Sequence, residues 1–113
     1  MIKKLKLNKQ VRRLYGRGKS FAHRGFITYV LPNKTGTVNY GITVSKKLGG
    51  AVERNRAKRL ITAAFRECLP HLNTGFDAVF VARSGIFSYK SYELAAAMLS
   101  HLANFKASEQ DDK

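Results

Sequence analysis

Residues 44–68, "VSKKLGGAVERNRAKRLITAAFREC", combine the clearest helical pattern of the chain with its densest positive charge. Apolar residues recur there at the i, i+3, i+4, i+7 spacing of a helix that buries one face. They are Ala57, Leu60, Ile61, Ala64, Phe65 and Cys68. Because Pro70 cannot continue a helix, we predict a core-facing helix that begins after Gly49 and Gly50 and ends before Pro70.

The opposite face of this predicted helix is polar and basic. At about 100° per residue, Arg54 and Arg56 lie on the two flanks of the apolar stripe. The far side carries Asn55, Lys58, Arg59, Thr62 and Arg66. Like charges at these spacings repel one another, and the helix dipole disfavours cations at this end. Phosphate binding accounts for the pattern, because N-terminal amides and basic side chains then point at one anion. A solvated surface is the alternative, but Glu53 is the only acid between Lys46 and Arg66.

The whole chain is strongly basic. Its 113 residues include 21 Lys and Arg against seven Asp and Glu, which gives a formal charge of +14. Residues 1–66 hold 17 of the basic residues and one acid, whereas residues 109–113 hold three acids. The length allows one domain, which we assign to residues 1–108, followed by a short disordered acidic tail over residues 109–113. Such a charge implies a polyanionic partner.

Several classes of protein are disfavoured. No apolar run approaches the roughly 20 residues that span a bilayer, and the N-terminal residues lack the apolar core of a secretory signal. Cys68 is the lone cysteine and is expected to be an inert core thiol, which agrees with a cytoplasmic location. His23, His71 and His101 are scattered without metal-ligand spacing, and the carboxylates form no cluster in sequence. The chain therefore does not resemble a self-sufficient enzyme. A basic membrane-surface protein is a weaker alternative, because the apolar stripe has ordinary width.

Strand patterns flank the basic helix. Asn8 is predicted to cap a short helix over residues 9–15. "FITYVL", residues 26–31, and "VNYGITVS", residues 38–45, are separated by turn residues, so we expect a hairpin. The second of these strands alternates apolar residues with small polar ones, which leaves an open polar face able to accept a ligand. "DAVFVAR", residues 77–83, is predicted to be a buried strand.

A final helix is predicted from Ser91. Ser91 is its expected N-cap, and the capping box is incomplete because Glu93 falls at N2. Helix, hairpin, helix, strand and helix together indicate an α+β fold, a two-layer α/β sandwich. The passage from residue 38 to residue 83 would by default form a right-handed crossover.

Aromatic rings are interleaved with bases in the N-terminal part of the chain. The sequence there carries Arg12, Arg13, Tyr15, Arg17, Lys19, Phe21, Arg24, Phe26, Tyr29 and Tyr40. This mixture suits a groove that stacks unpaired bases beside a charged wall. We assign Phe26 to the core and leave Tyr15 and Tyr29 open between core and groove, because a hydroxyl tip suits a groove wall.

The segment "SKKLGGAVERNRAKRLITAAFRE" closely resembles the signature of the bacterial ribonuclease P protein subunit. In that family a Lys-x-x-Gly-x-Ala-Val stretch leads into Arg-Asn-Arg and then Lys-Arg on the central helix. The matching residues here are Lys46, Gly49, Ala51, Val52, Arg54, Asn55, Arg56, Lys58 and Arg59. The likeness extends from "LKLNKQVRRLYGRGKSFAHRGF" through "YGITVSKK" and "FDAVFVAR" to the last helix.

The resemblance implies an α-β-β-β-α-β-α fold like that of ribosomal-protein and elongation-factor domains. A left-handed βαβ crossover and a short extra strand near residues 20–22 are part of that expectation. The chain would be the non-catalytic protein component of a ribonucleoprotein endoribonuclease. A catalytic RNA, using Mg²⁺ bound mainly by the RNA, would remove the 5′ leader of precursor tRNA, while the protein binds that RNA and the single-stranded leader.

Site residues follow from the same resemblance. The RNA-binding group is Lys46, Lys47, Arg54, Asn55, Arg56, Lys58 and Arg59. The groove for the precursor-tRNA leader is Val11, Arg12, Tyr15 and Tyr29. No catalytic residue is assigned to the protein, and its metal ligands are left open. Val11 stands where the family often has Phe, which weakens stacking, and Gly50 replaces the usual Asn, which removes a helix cap.

Two other nucleic-acid functions remain as alternatives. A general RNA-binding module such as a ribosomal protein is one, because fold does not fix function. Dependence of precursor cleavage on this chain separates it from the main interpretation. A protein-only nuclease is the other, and it predicts metal-dependent cutting without added RNA.

Overall fold

The structure, a computed structural model, describes residues 2–4, 8–33, 36–72 and 75–111, with side chains in 11–33, 36–72 and 75–105. Its strands are β1 (Ile2–Lys4), β2 (Lys19–Ala22), β3 (Phe26–Pro32), β4 (Val38–Thr43) and β5 (Phe76–Ala82). Its helices are α1 (Asn8–Arg17), α2 (Ala51–Cys68) and α3 (Ser91–Asp111). Short 3₁₀ turns lie at Lys46–Leu48, Leu69–His71 and Ser84–Ser88, the last of which we call the β5–α3 turn. No helix within these ranges is long and apolar enough to cross a membrane.

The predicted order α-β-β-β-α-β-α is confirmed, including the short extra strand, which is β2. Strand β1 precedes this order and pairs in parallel with β4, a feature that was not predicted. Helix α2 connects β4 to its parallel neighbour β5. The handedness of that crossover stays a prediction.

Strand β5 is the centre of the sheet. The strand order is β1-β4-β5-β3-β2, and β5 is parallel to β4 and antiparallel to β3. The predicted hairpin of β3 and β4 is therefore wrong, because β5 lies between them. The buried residues of β5 are Phe76, Ala78, Val79, Phe80 and Ala82. A strand that buries side chains on both faces is more stable between two neighbours than at an edge, and β5 therefore separates β3 from β4.

Helices α2 and α3 cover one face of the sheet. The predicted apolar stripe of α2 is confirmed, since its buried residues are Ala57, Ile61, Ala64, Phe65 and Cys68. Phe65 packs against Tyr40 and Phe80, with ring centroids 4.9 and 5.3 Å away. Cys68 Sγ donates a hydrogen bond to the Ala95 carbonyl of α3 at 3.3 Å. Burial raises the pKa of the Cys68 thiol to about 11, which keeps it protonated and unreactive in the core.

A buried histidine joins α3 to the same face. Thr28 Oγ1 of β3 and His101 Nδ1 of α3 lie 2.8 Å apart. The imidazole stacks on Phe21 of β2 with ring centroids 5.6 Å apart. Burial, reinforced by the charge of His23, lowers the pKa of His101 to about 4. The ring is therefore neutral at pH 7 and contributes packing and a hydrogen bond rather than charge.

Helix α1 lies on the opposite face. Side chains alternate along β3, so Thr28 contacts α3 whereas the next residue, Tyr29, contacts Tyr15 of α1. Leu14 of α1 and Val79 of β5 are buried but lie outside the main core cluster. A helix of 10 residues is about 15 Å long, and five strands are about 19 Å across. The helix is therefore shorter than the sheet is wide.

Helix α3 begins with half of a capping box, because its N-cap is a lysine, whose side chain cannot accept a bond from the N3 amide. The amides of Glu93 and Leu94 donate to the Lys90 carbonyl, so Lys90 is the N-cap and Glu93 is N3. The Glu93 carboxylate in turn accepts from the Lys90 amide at 2.9 Å. The prediction of Ser91 as the N-cap is wrong, because Glu93 makes this bond from N3. The helix continues through residues 109–111, which were assigned to the disordered tail, and residues 112–113 lie outside the described residues.

Candidate nucleic-acid interface

The basic face of α2 is open to solvent. The exposed residues predicted to bind RNA on this helix are Asn55, Arg56, Lys58 and Arg59. Arg54 is half-buried, and its Nε donates to the Gly50 carbonyl at 3.4 Å. Gly50 is the N-cap and makes no side-chain hydrogen bond, which agrees with the expected loss of a cap at this position. The positive end of the helix dipole therefore coincides with a group of cationic side chains, an arrangement that favours anions.

The Lys46–Leu48 turn places two further cations before α2. Lys46 and Lys47 are both exposed, and Ser45 Oγ accepts from the Lys47 amide at 3.3 Å. Gly49 follows with a φ of 129°, a conformation that glycine adopts readily. A Cβ on Gly49 would lie 3.1 Å from the Glu53 side chain. Glycine therefore allows the chain to pass close to the first turn of α2, and the lysines stay near its N-terminus.

A cleft of about 470 Å³ lies at the carboxyl ends of the parallel strands β4 and β5. Its lining residues are Ser45, Lys47, Leu48, Ala82, Arg83 and Ser84. Arg83 Nη1 donates to the His23 carbonyl at 3.1 Å, which restrains the exposed guanidinium at the rim. Hydroxyl groups and two cations suit an anionic group here. Neither Arg83 nor Ser84 was predicted as a site residue. Their position directly after a buried strand could have indicated them, because ligands commonly bind at the carboxyl ends of parallel strands.

The aromatic residues Tyr15 and Tyr29 meet on the α1 side of the sheet. Their rings pack edge to face at 73°. Tyr15 Oη and Thr43 Oγ1 of β4 are 3.2 Å apart. Tyr15 is 42% exposed and Tyr29 is half-buried, while Val11 is half-buried and Arg12 is exposed on the same helix as Tyr15. The structure therefore brings the two predicted groove tyrosines together and adds Thr43, which was not predicted.

The two predicted groups are neighbouring surfaces linked through β4. Thr43 is the last residue of β4, and the turn that begins at Lys46 follows it. Within residues 11–33 and 36–72, no hydrogen bond or ring contact joins Tyr15 or Tyr29 to the basic residues of α2. Two residues along the chain, 44 and 45, separate Thr43, which contacts Tyr15, from the turn that carries Lys46.

A polar cluster at the other end of the sheet has a structural role. Asp77 Oδ1 accepts from Asn33 Nδ2 at 2.8 Å and from Asn39 Nδ2 at 2.7 Å. These bonds tie β5 to the neighbouring ends of β3 and β4. Among the residues that the structure describes, no group of three or more His, Cys, Asp or Glu side chains is arranged to hold a metal ion.

A family model, related sequences and solved structures all indicate the same family. The family model described as Ribonuclease P matches residues 2–106. A ribonuclease P protein component from Clostridium beijerinckii is 40% identical over 107 residues, covering 88% of this chain and 86% of the relative. Another from Clostridioides difficile is 44% identical over 82 residues, covering 72% of each. The solved structure of the Staphylococcus aureus RNase P protein has a TM-score of 0.74 and 33% identity, covering 89% of this chain and 92% of that one. The RNase P protein from Thermotoga maritima has a TM-score of 0.76 and 27% identity, covering 88% and 94%.

Proposed function

The chain belongs to the ribonuclease P protein family, and from this premise we propose how its surfaces divide the binding of RNA. It is the protein component of a tRNA-processing ribonucleoprotein endoribonuclease, and its partner is an RNA subunit. In the proposed assembly, the basic face of α2 and the Lys46–Leu48 turn bind the RNA subunit. The groove beside α1 holds the single-stranded 5′ leader of precursor tRNA.

The basic face of α2 supports binding to the RNA subunit. Lys58 and Arg59 are exposed on the side opposite the core stripe, so their charges are free to neutralise phosphates. Each phosphate contact releases condensed counterions, which makes such binding favourable and dependent on salt. Asn55 is exposed between two arginines and offers both a donor and an acceptor, which suits a ribose or a base edge. Because asparagine is a poor helix former, the presence of Asn55 in the N-terminal part of α2 fits a binding role.

The tyrosine pair supports binding of the leader. Tyr15 and Tyr29 present aromatic surface next to the exposed Arg12. Stacking on aromatic rings tolerates any base, which suits a leader whose sequence varies among substrates. The edge-to-face contact holds both rings in place before the RNA arrives, and this lowers the entropy cost of binding. Val11 supplies an apolar wall without a ring, so stacking is weaker at that position.

One observation carries the proposal more than any other. The N-terminus of α2, which has no side-chain cap, lies between its own cationic side chains and the Lys46–Leu48 turn, whose Lys47 also lines the cleft beside Arg83. These groups form one cationic surface, and self-repulsion makes that arrangement costly unless polyanion binding offsets it.

Mg²⁺ is proposed to be bound mainly by the RNA subunit, which carries out the hydrolysis. The cations of the protein neutralise phosphates that would otherwise need Mg²⁺, so the protein lowers the Mg²⁺ requirement of the complex. No residue of this chain is assigned to the chemical step. We also propose a cytoplasmic location, which agrees with a single buried cysteine that stays reduced.

Binding measurements with two substrates test the groove assignment. In the presence of a bacterial ribonuclease P RNA, the wild-type protein should favour precursor tRNA with a short 5′ leader over mature tRNA. A variant with both Tyr15→Ala and Tyr29→Ala should lose most of this preference. If the preference is unchanged in the variant, the leader does not lie against these two rings.

A further inference from the structure

An aromatic ring lies under one arginine of the basic helix. The Cζ atom of Arg56 is 5.3 Å from the centroid of the Phe87 ring, within the range of a cation–π contact. We propose that Phe87 is a positioning residue for RNA binding, which holds the Arg56 guanidinium ready for a phosphate of the RNA subunit. The inference rests on the proposed role of α2 in binding that RNA.

Phe87 stands on a rigid base. It belongs to the β5–α3 turn, in which Ile86 is fully buried in the core. The amide of Arg83, directly before the turn, donates to the Gly25 carbonyl between β2 and β3 at 2.9 Å. Gly85 lies so close to the Arg24 carbonyl oxygen that an added Cβ would be 2.6 Å from it. The turn is therefore fixed against the core and against the segment between β2 and β3. The Phe87 ring that it carries has a defined position.

Arg56 has donors available for a ligand. It is exposed, and no acidic side chain of the described residues forms an ion pair with it. The ring takes no conventional hydrogen bond from the guanidinium, so the N–H groups of Arg56 remain available for phosphate oxygens. Ordering a long side chain on binding costs free energy, and an arginine already held by a ring avoids part of that cost.

The contact also connects two parts of the cationic surface. The turn that carries Phe87 contributes Ser84 to the cleft, directly after Arg83. Arg56 on the flank of α2 thereby contacts the same turn that supplies Ser84 to the cleft. Arg54, on the other flank, instead donates to the Gly50 carbonyl of its own helix. The two arginines thus have different supports, and only Arg56 depends on the β5–α3 turn.

The direction of the effect distinguishes positioning from competition. If Phe87 holds Arg56 in its RNA-bound orientation, Phe87→Leu should weaken RNA binding by about two- to fivefold, the size of an exposed cation–π contact. Phe87→Tyr keeps a ring and should bind like the wild type. If the RNA has to remove Arg56 from the ring, Phe87→Leu should tighten binding instead.

A double-mutant cycle tests the proposal. Affinity for a bacterial ribonuclease P RNA is measured across a salt series for the wild type, Phe87→Leu, Phe87→Tyr, Arg56→Ala and Arg56→Ala/Phe87→Leu. Circular dichroism and thermal unfolding check that each variant is folded. Arg56→Ala should weaken binding and reduce the salt slope by about one. Phe87→Leu should weaken binding with the wild-type slope, because it removes no charge, and should have no further effect when Arg56 is already Ala.

A matched cycle with Arg59 supplies the control. Arg59 is exposed on the same helix. The losses of RNA affinity caused by Arg59→Ala and Phe87→Leu should therefore multiply in the double variant, as they do for independent sites. The positioning role would be overturned if Phe87→Leu tightened RNA binding or left the affinity unchanged. It would also be overturned if the effects of Phe87→Leu and Arg56→Ala multiplied fully in the double variant. If Arg56→Ala itself changes neither affinity nor salt slope, the assignment of this part of α2 to RNA binding fails, and the role of Phe87 fails with it.

Discussion

Tyr15 of α1 and Tyr29 of β3 pack edge to face with ring centroids 4.9 Å apart, at the place where α1 crosses the sheet. Tyr15 also reaches Thr43 at the end of β4, so its ring is held from two strands. In the function proposed above, the groove for the leader is therefore formed when α1 docks on the sheet. A change that loosens this docking should weaken leader binding more than it weakens RNA binding by the basic face of α2.

Replacing Tyr29 by Ala should weaken precursor tRNA binding and leave mature tRNA binding nearly unchanged. A base stacked on a ring contributes roughly 1–3 kcal/mol, so the precursor affinity should fall by about that amount for each base that loses its partner. Affinities of the complex for both RNAs check this. Tyr92→Ala is the matched control, because Tyr92 is 60% exposed on α3, outside the groove. Equal losses for precursor and mature tRNA would remove Tyr29 from the groove.

Replacing Arg59 by Ala should reduce the salt dependence of binding to the RNA subunit. Each lost phosphate contact lowers the slope of log K against log salt by about 0.7–0.9. Lys90→Ala removes the same charge at an exposed position outside the proposed surface, and its slope should match the wild type. A slope that falls equally in both variants would mean that overall charge, rather than this face of α2, controls binding.

Acid should destabilise the fold through His101. Its pKa is about 4 in the folded protein and near the ordinary 6.5 once unfolded. Between these values the unfolded state binds more protons, so stability is constant above about pH 6.5 and falls as the pH is lowered toward 4. From pH 7 to pH 5 this residue should cost about 2 kcal/mol.

Urea unfolding at pH 7 and pH 5 measures this loss, with His101→Gln as the variant that does not titrate. The variant can be less stable at both pH values because it changes the contact with Thr28. Its drop between the two pH values should nevertheless be smaller than that of the wild type. The same drop in both proteins would assign the acid sensitivity to other groups, including His23.

The Cys68 thiol should be unreactive until the protein unfolds. It is buried and its pKa is raised to about 11, so little thiolate forms at pH 8. A thiol reagent should modify it slowly in buffer and rapidly in urea. The variant Cys68→Ala/Ser100→Cys, with a thiol at an exposed position of α3, should react rapidly when folded. Rapid modification of native Cys68 would show that the α2–α3 contact opens.

Local patterns in the sequence were sufficient for the parts of the fold that depend on spacing. The apolar stripe from Ala57 to Cys68 and the basic face opposite it follow from the period of a helix. The strand now seen as Phe76–Ala82 follows from its continuous apolar character. Strand β2 was expected only because the chain resembles a family.

Pairing between distant segments could not be predicted in this way. The turn residues between β3 and β4 are typical of a hairpin, but the later strand β5 pairs with both. The contacts of Thr28 with His101 and of Arg56 with Phe87 also join residues that are far apart in sequence. Such contacts depend on how elements pack, and no local spacing encodes them.

Cleavage of a 5′-extended precursor tRNA at low Mg²⁺ tests the central claim most directly. This protein alone, a bacterial ribonuclease P RNA alone, and the two together are compared under the same conditions. The account predicts cutting at the mature 5′ end in the mixture and little or none with either component alone. A mixture no better than the RNA alone would favour a general RNA-binding module, and cutting by the protein alone would contradict the assignment of the chemistry to the RNA.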